Sequence, residues 1–339
     1  MKVVYYLTTN TSQFSFLYNI YKKHDGPIYY PSYNDTIPSY LNGNAKILTN
    51  NDELKIYNPD FILYTELNYE EGPWKNIYIG HGYGYDIFEN SCDDSIISHD
   101  DYTKDGLMYY NKYYNYIFVP SKLIQDDISK YYNIYLDKIK CMGYPRLDNI
   151  KNLYLINDKT KKTILYAPSW SIKSSLFAMR NNIITLSNDF NVIILFHSNM
   201  MKSPTHKIKV AKEIVQNKSN NLKFVFREEY SELFNKSDKN ILDFKDDMYI
   251  LQNLILSTDF LLCDKKSGVS WDAIFLEKPY LQLDNIIELD YNDLKNKINN
   301  TEVKRNFIHC GSNYSIEDIF GKQDGKNAER CINLLKELI

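Results

Sequence analysis

Residues 251–283, LQNLILSTDFLLCDKKSGVSWDAIFLEKPYLQL, carry the pattern that decides the fold. The apolar-periodic segment 248–257 predicts a helix, and the short apolar run 260–263 predicts a strand that is buried on both faces of a parallel sheet. A polar turn at 264–268 leads into a second predicted helix, and another strand follows at 280–283. The stretch therefore predicts a βαβ unit, the building block of an open α/β sheet.

The turn after the first of these strands carries Asp264, Ser267 and Gly268. Open α/β sheets bind ligands at the carboxyl ends of their strands, and free backbone N–H groups at the start of a helix suit a phosphate. The same residues would also serve as an ordinary helix N-cap followed by a glycine. The turn taken alone leaves both interpretations open.

The same alternation of strands and helices fills the rest of the chain. Strands are predicted at 3–7, 28–30, 46–48, 61–64, 76–79, 116–119, 139–142, 163–167, 190–196, 222–226 and 241–243. The pattern predicts an α/β protein with two Rossmann-like, doubly wound parallel-sheet domains that face a central cleft. We place the domains at 1–150 and 151–325, with a polar, Lys-rich linker between them. The amphipathic helix 326–339 could cross back onto the first domain.

Composition narrows the class of protein. The chain has 339 residues, enough for roughly two domains of about 150 residues each. With 40 basic and 43 acidic residues the net charge is −3, so no nucleic-acid partner is expected. The five cysteines show no CxxC spacing and predict reduced thiols in a cytosolic protein. No apolar run approaches the ~18 residues of a membrane span, and MKVVYYLTT predicts a first strand rather than a signal peptide.

Two histidines follow predicted strands. His81 lies between Gly80 and Gly82, where a neutral imidazole could take a proton from an attacking hydroxyl. His197 ends the apolar strand 190–196, where a hydrogen-bond donor could hold a diphosphate and stabilise charge on a leaving nucleotide. Each histidine alone could merely cap local structure. Their positions at matching edges of two domains, together with the turn at Ser267, favour one shared active site.

Several common motifs are missing from the sequence. It contains no GxGxxG or GxxxxGK[ST] fingerprint, no HExxH, DxD or Cys/His ligand spacing, and no GxSxG elbow. We therefore expect neither a metal nor a resident cofactor, and the activated group would arrive on the substrate.

Six segments, in order from residue 78 to residue 330, resemble the CDP-glycerol glycerophosphotransferase family, the teichoic acid primases and polymerases. They are YIGHG (78–82), like that family's WHG; GYPRLD (143–148), like GYPRND; ILYAPSW (164–170), like ILYAPTW; ILFH (194–197), like its strand ending in HP; STDFLLCD (257–264) with Ser267, like SDILITDYSS; and DGKNAER (324–330), like DGKASER. The first 75 residues or so are unmatched.

The resemblance implies a GT-B fold and transfer of a polyol phosphate, glycerol phosphate foremost, from a CDP-activated donor to a hydroxyl of a cell-surface polymer or lipid-linked precursor, with release of CMP. By position, His81 would be the base, and His197 would act on the donor's phosphates. The remaining residues that the resemblance points to are, for donor and phosphate binding, Gly82, Ser169, Asp264, Ser267, Gly268 and Asp272, and, in support, Arg146, Lys326 and Arg330.

The sequence departs from the family pattern in three places. Tyr83-Gly84 follows His81-Gly82 where the family has Thr-Pro, Ser198 replaces the Pro after His197, and the turn before Asp272 is one residue longer. Glycerol phosphate, ribitol phosphate and a sugar all stay open as the transferred group. The alternatives are a GT-B glycosyltransferase that uses a nucleotide sugar and an inactive nucleotide-binding module. The expected location is the cytoplasm, with peripheral contact to the inner face of the plasma membrane.

Overall fold

The structure, a computed structural model, describes most of the chain. The described residues are 1–7, 14–31, 45–65, 68–80, 112–132, 134–151, 153, 160–169, 174–197, 206–217, 219–226, 240–244, 249–265, 267–284, 290–309 and 312–339. The chain forms two compact units, the first made of Met1–Asn149 and Asn306–Ile339, the second of Ile150–Arg305. Each unit is built around its own parallel sheet.

The first unit contains a seven-stranded sheet in the order β3-β2-β1-β4-β5-β6-β7, with every neighbouring pair parallel. Its strands are β1 (Val3–Tyr6), β2 (Ile28–Tyr29), β3 (Ile47–Leu48), β4 (Phe61–Tyr64), β5 (Lys75–Tyr78), β6 (Tyr116–Val119) and β7 (Ile139–Cys141). Helices α1 (Ser15–Lys23), α2 (Asn51–Tyr57) and α3 (Lys122–Tyr132) connect them. The chain winds outward in both directions from β1, which makes the sheet doubly wound.

Local sequence explains these elements. Strand β1, VVYY, is buried along its whole length, as expected for a strand covered on both faces. Helix α2 begins where the Asn50 side chain accepts hydrogen bonds from the backbone N–H groups of Asp52 and Glu53, at 3.1 and 3.0 Å. It ends at Asn58, which adopts a left-handed φ of 50°.

Four strands of the first sheet end in a buried tyrosine. Tyr29, Tyr6 and Tyr64 end β2, β1 and β4, and their ring centroids follow one another at 5.5 and 5.0 Å. Tyr114 continues the row, 5.7 Å from Tyr64 and 5.2 Å from Tyr78, the last residue of β5. An aromatic layer thus supports the carboxyl edge of the sheet, including the strand that leads to His81.

The second unit holds a six-stranded parallel sheet in the order β11-β10-β9-β8-β12-β13. Its strands are β8 (Thr163–Ala167), β9 (Asn191–Leu195), β10 (Leu222–Phe226), β11 (Ile241–Asp243), β12 (Phe260–Asp264) and β13 (Tyr280–Leu283). Its helices are α4 (Leu176–Leu186), α5 (His206–Val215), α6 (Ile250–Ser257), α7 (Val269–Phe275) and α8 (Tyr291–Asn300). Residues of β8 alternate between the hydrophobic cores on its two faces, Ile164 and Tyr166 on one, Leu165 and Ala167 on the other.

The chain then returns to the first unit. An antiparallel hairpin, β14 (Asn306–His309) and β15 (Ser312–Ser315), leads to the short helix α9 (Ile316–Phe320) and to α10 (Asn327–Glu337), which packs on α1. The boundary falls after Arg305, whereas the sequence placed it after residue 325. The difference arises because Phe320 of α9 packs against Tyr144, with ring centroids 5.5 Å apart.

Each strand predicted from the sequence is present, with both ends within one residue of the prediction. Within the described residues, no helix is long and apolar enough to cross a membrane. The same part of the chain contains no cluster of three or more histidine, cysteine, aspartate or glutamate side chains arranged to hold a metal ion.

Candidate functional site

Three predicted site residues follow neighbouring strands of the second sheet. His197 comes after β9, Ser169 after β8 and Ser267 after β12, and these strands lie side by side in the order β9-β8-β12. Because all three run parallel, their carboxyl ends meet at one edge, with adjacent strands about 4.8 Å apart. The chain reverses its direction of winding between β8 and β12. Such a reversal is where open α/β sheets bind their ligands.

Asp264 is the last residue of β12, and its carboxylate faces the protein. It is only 1% exposed. Its Oδ2 accepts the backbone N–H of Ser169 at 2.6 Å, and its Oδ1 accepts the N–H of Ser175 at 3.0 Å and also the Ser175 hydroxyl. The two oxygens therefore hold both ends of the connection between β8 and α4.

The hydroxyl of Ser175 lies in a buried polar cluster beneath this edge. The side chain is fully buried, and its Oγ is 2.9 Å from the hydroxyl of Tyr166, a residue of β8. Burial raises the pKa of the Tyr166 hydroxyl well above its usual value, so this phenol stays protonated. Sequence reasoning missed Ser175 because it contacts a carboxylate 89 positions away.

The turn at Ser267 and Gly268 has the predicted place and form. The Ser267 N–H donates to the Asp264 carbonyl at 3.0 Å, and α7 begins directly after Gly268. The Ser267 carbonyl accepts the hydroxyl of Ser270 at 2.8 Å, and the Ser267 side chain is half-buried. The turn is thus fixed by its own hydrogen bonds and leaves the Ser267 hydroxyl near the carboxyl edge of the sheet.

Asp272 lies on α7, and its side chain is completely buried. One carboxylate oxygen accepts a hydrogen bond from Nε2 of Gln252, a residue of α6, at 2.7 Å. The contact joins the two helices on one face of the sheet. The structure therefore places Asp272 between helices, whereas Ser267 stands at the strand ends.

Strand β5 of the first unit leads to His81, the candidate base. Strand β5 lies in the interior of the sheet, between β4 and β6, and ends at Tyr78. Gly80 follows with a φ of 73°, a conformation that glycine adopts without strain. His81 and Gly82 lie outside the described residues, so their predicted roles stay predictions.

Arg146 belongs to a 3₁₀ turn, Pro145–Leu147, that follows β7. It is 8% exposed, and its guanidinium carbon lies 4.5 Å from the ring centroid of Phe16 in α1. This cation–π contact fixes the turn against the helix. The buried Asn19 of α1 adds a hydrogen bond from its Nδ2 to the carbonyl of Pro145 at 2.6 Å.

The GYPRLD and DGKNAER segments meet each other in the first unit. Asp148 accepts the side-chain amide of Asn327 at 2.6 Å and the backbone N–H of Ala328 at 2.7 Å, which caps the start of α10. Gly143 approaches so closely that a Cβ there would lie 1.7 Å from Oδ1 of Asn327. We call these residues, with Arg330, the α10 clasp.

Arg330 completes the α10 clasp. Its Nη1 donates to both carboxylate oxygens of Asp324 at 2.9 and 3.0 Å, and its Nε donates to the Met142 carbonyl at 3.3 Å. Lys326 is exposed, and its backbone N–H donates to Asp324 at 3.1 Å. The structure thus places Arg330 in the packing of α10 within the first unit.

Comparison with known proteins agrees with this architecture. The family model described as CDP-Glycerol:Poly(glycerophosphate) glycerophosphotransferase matches residues 81–285. The wall teichoic acid polymerase TagF has a similar structure at 13% identity, with a TM-score of 0.54 over 99% of this chain and 89% of that one. A UDP-GlcNAc 2-epimerase of Methanocaldococcus jannaschii, in complex with UDP-GlcNAc and UDP, is 14% identical, with a TM-score of 0.56 over 99% of this chain and 100% of that one.

At these identities the structural likeness shows the fold alone, and it confirms the predicted α/β, GT-B class. Comparison with curated protein sequences gives no match. The family model, in contrast, spans more than half of the chain and includes the strand ends at Ser169, His197 and Ser267. The protein therefore belongs to the CDP-glycerol:poly(glycerophosphate) glycerophosphotransferase family.

Proposed function

We propose that this glycerophosphotransferase-like enzyme transfers glycerol phosphate from CDP-glycerol to a hydroxyl of a cell-surface polymer or its lipid-linked precursor, and releases CMP. One observation carries the proposal. Ser169, His197 and Ser267 stand at the carboxyl ends of three adjacent parallel strands, at the winding reversal of the second sheet. That is the place where such sheets bind ligands, in a chain whose family uses this donor.

In this proposal the second unit binds the donor. The hydroxyls of Ser169 and Ser267 and the backbone at Gly268 contact the diphosphate, and His197 donates a hydrogen bond to it. Asp264 and Asp272 act indirectly, since both are buried and a carboxylate close to a phosphate would repel it. Arg146 and Arg330 act in this proposal by supporting the packing of the first unit.

The reaction is an in-line phosphoryl transfer. The acceptor hydroxyl gives its proton to His81, and the acceptor oxygen bonds to the phosphorus that carries glycerol. The bond from that phosphorus to the bridging oxygen breaks, and CMP leaves with the oxygen and the electron pair. His197 stabilises the charge that develops on the departing phosphate. Catalysis then comes from positioning and electrostatics.

The acceptor side rests on the family. A polymer or lipid-linked glycan presents the attacking hydroxyl, and we propose that the enzyme meets it at the inner face of the plasma membrane through peripheral contact. Cosedimentation with vesicles of anionic lipid, with and without a lipid-linked acceptor, tests this part. Protein that stays in the supernatant under both conditions would remove membrane contact from the proposal.

A donor screen tests the reaction class. Thermal unfolding is followed with CDP-glycerol, CDP, CMP, UDP, GDP and ADP, and a ligand at roughly 100 times its Kd adds about 2.7 kcal/mol of stability. We expect selective stabilisation by CDP and CDP-glycerol, and release of CMP on transfer. Selective stabilisation by UDP with release of a nucleoside diphosphate would instead show a glycosyltransferase. The stabilisation by CDP-ribitol, compared with that by CDP-glycerol, shows which of the two polyols the enzyme prefers.

Histidine variants test the two assigned roles. We expect His81→Ala to abolish transfer with CDP affinity close to wild type, because a base acts on the acceptor. We expect His197→Ala to raise the KM for CDP-glycerol and to lower kcat. His24→Ala, which follows α1 in the first unit, is the matched control. Turnover at the wild-type rate in His81→Ala would refute the assignment of the base, and unchanged kinetics in His197→Ala would move the donor site elsewhere.

A further inference from the structure

The carboxylate of Asp264 joins three elements at the edge where the donor is proposed to bind. It ends β12, and the preceding residue, Cys263, is in register with Ala167 at the end of β8. From there its Oδ2 reaches the N–H of Ser169 at 2.6 Å, and its Oδ1 reaches the N–H of Ser175 at 3.0 Å. The first serine leaves β8, and the second directly precedes α4. One side chain therefore closes the connection between strand and helix at both ends.

The hydrogen bonds that Asp264 accepts are strong ones. Hydrogen bonds from N–H groups to an ionised carboxylate are roughly twice as strong as neutral ones. The Ser175 hydroxyl adds a third, and the same oxygen is 2.9 Å from the Tyr166 hydroxyl, so β8 also anchors the cluster from below. Asp264, Ser175 and Tyr166 are each at most 1% exposed, so water does not compete for the hydrogen bonds among these three residues.

The geometry also separates Asp264 from direct contact with the donor. Both carboxylate oxygens already accept protein donors, and the group is buried. A negative charge in contact with a diphosphate would weaken binding. What the carboxylate does fix is the backbone at Ser169, the residue assigned to the donor site after β8.

We propose that Asp264 and Ser175 are positioning residues, which hold both ends of the connection from β8 to α4 so that Ser169 is presented to the donor diphosphate. The identity of the ligand in this inference rests on the proposed function. The positioning of Ser169 and Ser175 rests only on the observed hydrogen bonds.

Neutralising the carboxylate distinguishes positioning from simple electrostatics by the sign of the effect. If charge alone mattered, Asp264→Asn would tighten binding of the anionic diphosphate. If Asp264 positions the connection, the new amide group must face an N–H donor and one end is released. We expect Asp264→Asn to raise both the Kd for CDP and the KM for CDP-glycerol about tenfold, the scale of one charge-assisted hydrogen bond.

A second variant and a matched control sharpen the measurement. Ser175→Ala removes the hydroxyl and keeps the backbone contact, so we expect a smaller rise in Kd, about threefold. The double variant is expected to cost less than the sum of the single changes, because both act on one cluster. Asp189→Asn, which removes the negative charge that faces Tyr291 and Lys295 in the same unit, should leave CDP affinity unchanged.

Trypsin provides a readout that needs no nucleotide. Lys173 is the one basic residue in the sequence between Ser169 and Ser175, and cleavage there gives fragments 1–173 and 174–339. Intact-mass analysis over time is expected to show this cleavage several-fold faster in Asp264→Asn and Ser175→Ala than in the wild type or Asp189→Asn. The acceleration reports release of the two ends.

The outcomes are separable. If Asp264→Asn binds CDP as tightly as the wild type, or if the cleavage rate is unchanged, the positioning role is wrong. If the wild type binds no CDP while cleavage still accelerates in both variants, the positioning role stands and the proposed donor fails. The affinity series is then repeated with the nucleotide that the wild type does bind. If Asp264→Asn does not fold, Ser175→Ala carries both measurements.

Discussion

Gly143 offers a quantitative test of the α10 clasp. It follows β7 with a φ of +87°, and a Cβ at this position would lie 1.7 Å from Oδ1 and 3.1 Å from Cβ of Asn327. Asn327 is 1% exposed. Its Nδ2 donates to Asp148 at 2.6 Å, and its Oδ1 accepts a hydrogen bond from Arg330. The amide therefore cannot turn away from a new methyl group without losing both partners.

The expected cost of Gly143→Ala follows from these contacts. The left-handed conformation costs an alanine about 1–2 kcal/mol. Displacing the Asn327 amide gives up two hydrogen bonds to charged groups, which adds roughly 2–3 kcal/mol after partial relaxation. We expect a total loss of about 3–5 kcal/mol, a large part of the ~5–15 kcal/mol that typically stabilises a domain.

Gly325→Ala is the matched control. Gly325 also has a positive φ, +68°, but a Cβ there would meet only the Asp148 carbonyl oxygen, at an ordinary 3.5 Å. It should therefore cost only the conformational strain, about 1–2 kcal/mol. The difference between the two variants isolates the contact with Asn327.

Hydrogen exchange in increasing urea measures these costs where they arise. Amides of α10 report the opening free energy of the first unit, and amides of α4 in the second unit serve as the internal reference. In an Asn327→Ala background the penalty of Gly143→Ala should fall toward that of Gly325→Ala, since only the 3.1 Å approach to Cβ remains. Equal penalties for the two glycine variants, or the same penalty with and without the Asn327 side chain, would refute the reasoning.

Two further predictions concern titration and reactivity. Burial raises the pKa of the Asp148 carboxyl above its unfolded value, although hydrogen bonds from Ala328 and Asn327 oppose the shift. The stability that protonated Asp148 contributes is therefore fully present below the unfolded pKa. It is lost as the pH rises through the folded pKa. Urea unfolding followed from pH 3 to 7 should show that loss in the wild type and not in Asp148→Asn; identical pH profiles would contradict it. Cys331 is fully buried and burial raises its thiol pKa, so iodoacetamide at pH 8 should label it only after urea is added, and labelling of the folded protein would contradict its burial.

The sequence predicted the strands well because their signal is local. Each is a short apolar run bounded by polar turns, and burial on both faces of a parallel sheet demands such a run. Helix α4 can be located in the sequence for a similar reason, since its buried residues, Leu176, Met179, Ile183 and Leu186, recur at helical spacing.

The elements that the sequence missed lack such a signal. Helix α8 reads YNDLKNKINN and buries only Leu294 and Ile298, one turn apart, so no apolar stripe marks it. The hairpin β14–β15 reads NFIH and SNYS, so neither strand carries an apolar run longer than two residues. Helix α8 is held by tertiary packing, which a local pattern does not record.

The candidate site was predictable in position but not in the role of each residue. Strand ends at Ser169, His197 and Ser267 follow from the βαβ pattern, because parallel strands put their carboxyl ends at one edge. The hydrogen-bond partners of a buried carboxylate, in contrast, can lie far away in the sequence. Nothing near Asp264 in the sequence indicates Ser175, and nothing near Asp148 indicates Asn327, which is 179 positions away.

Asp148 and Asp264 belong to motifs of the same family but have different roles, one in the stability of the first unit and one at the carboxyl edge of the second sheet. Asp148 and Asp264 each accept hydrogen bonds from backbone N–H groups beside a helix start, so their motifs look equally functional in the sequence. Asp148 ties α10 to the turn after β7, inside the fold of the first unit. Asp264 ties the connection at the edge where ligands of such sheets bind. Loss of the first contact should therefore appear as lost stability of the first unit, whereas loss of the second should appear as lost affinity for the donor.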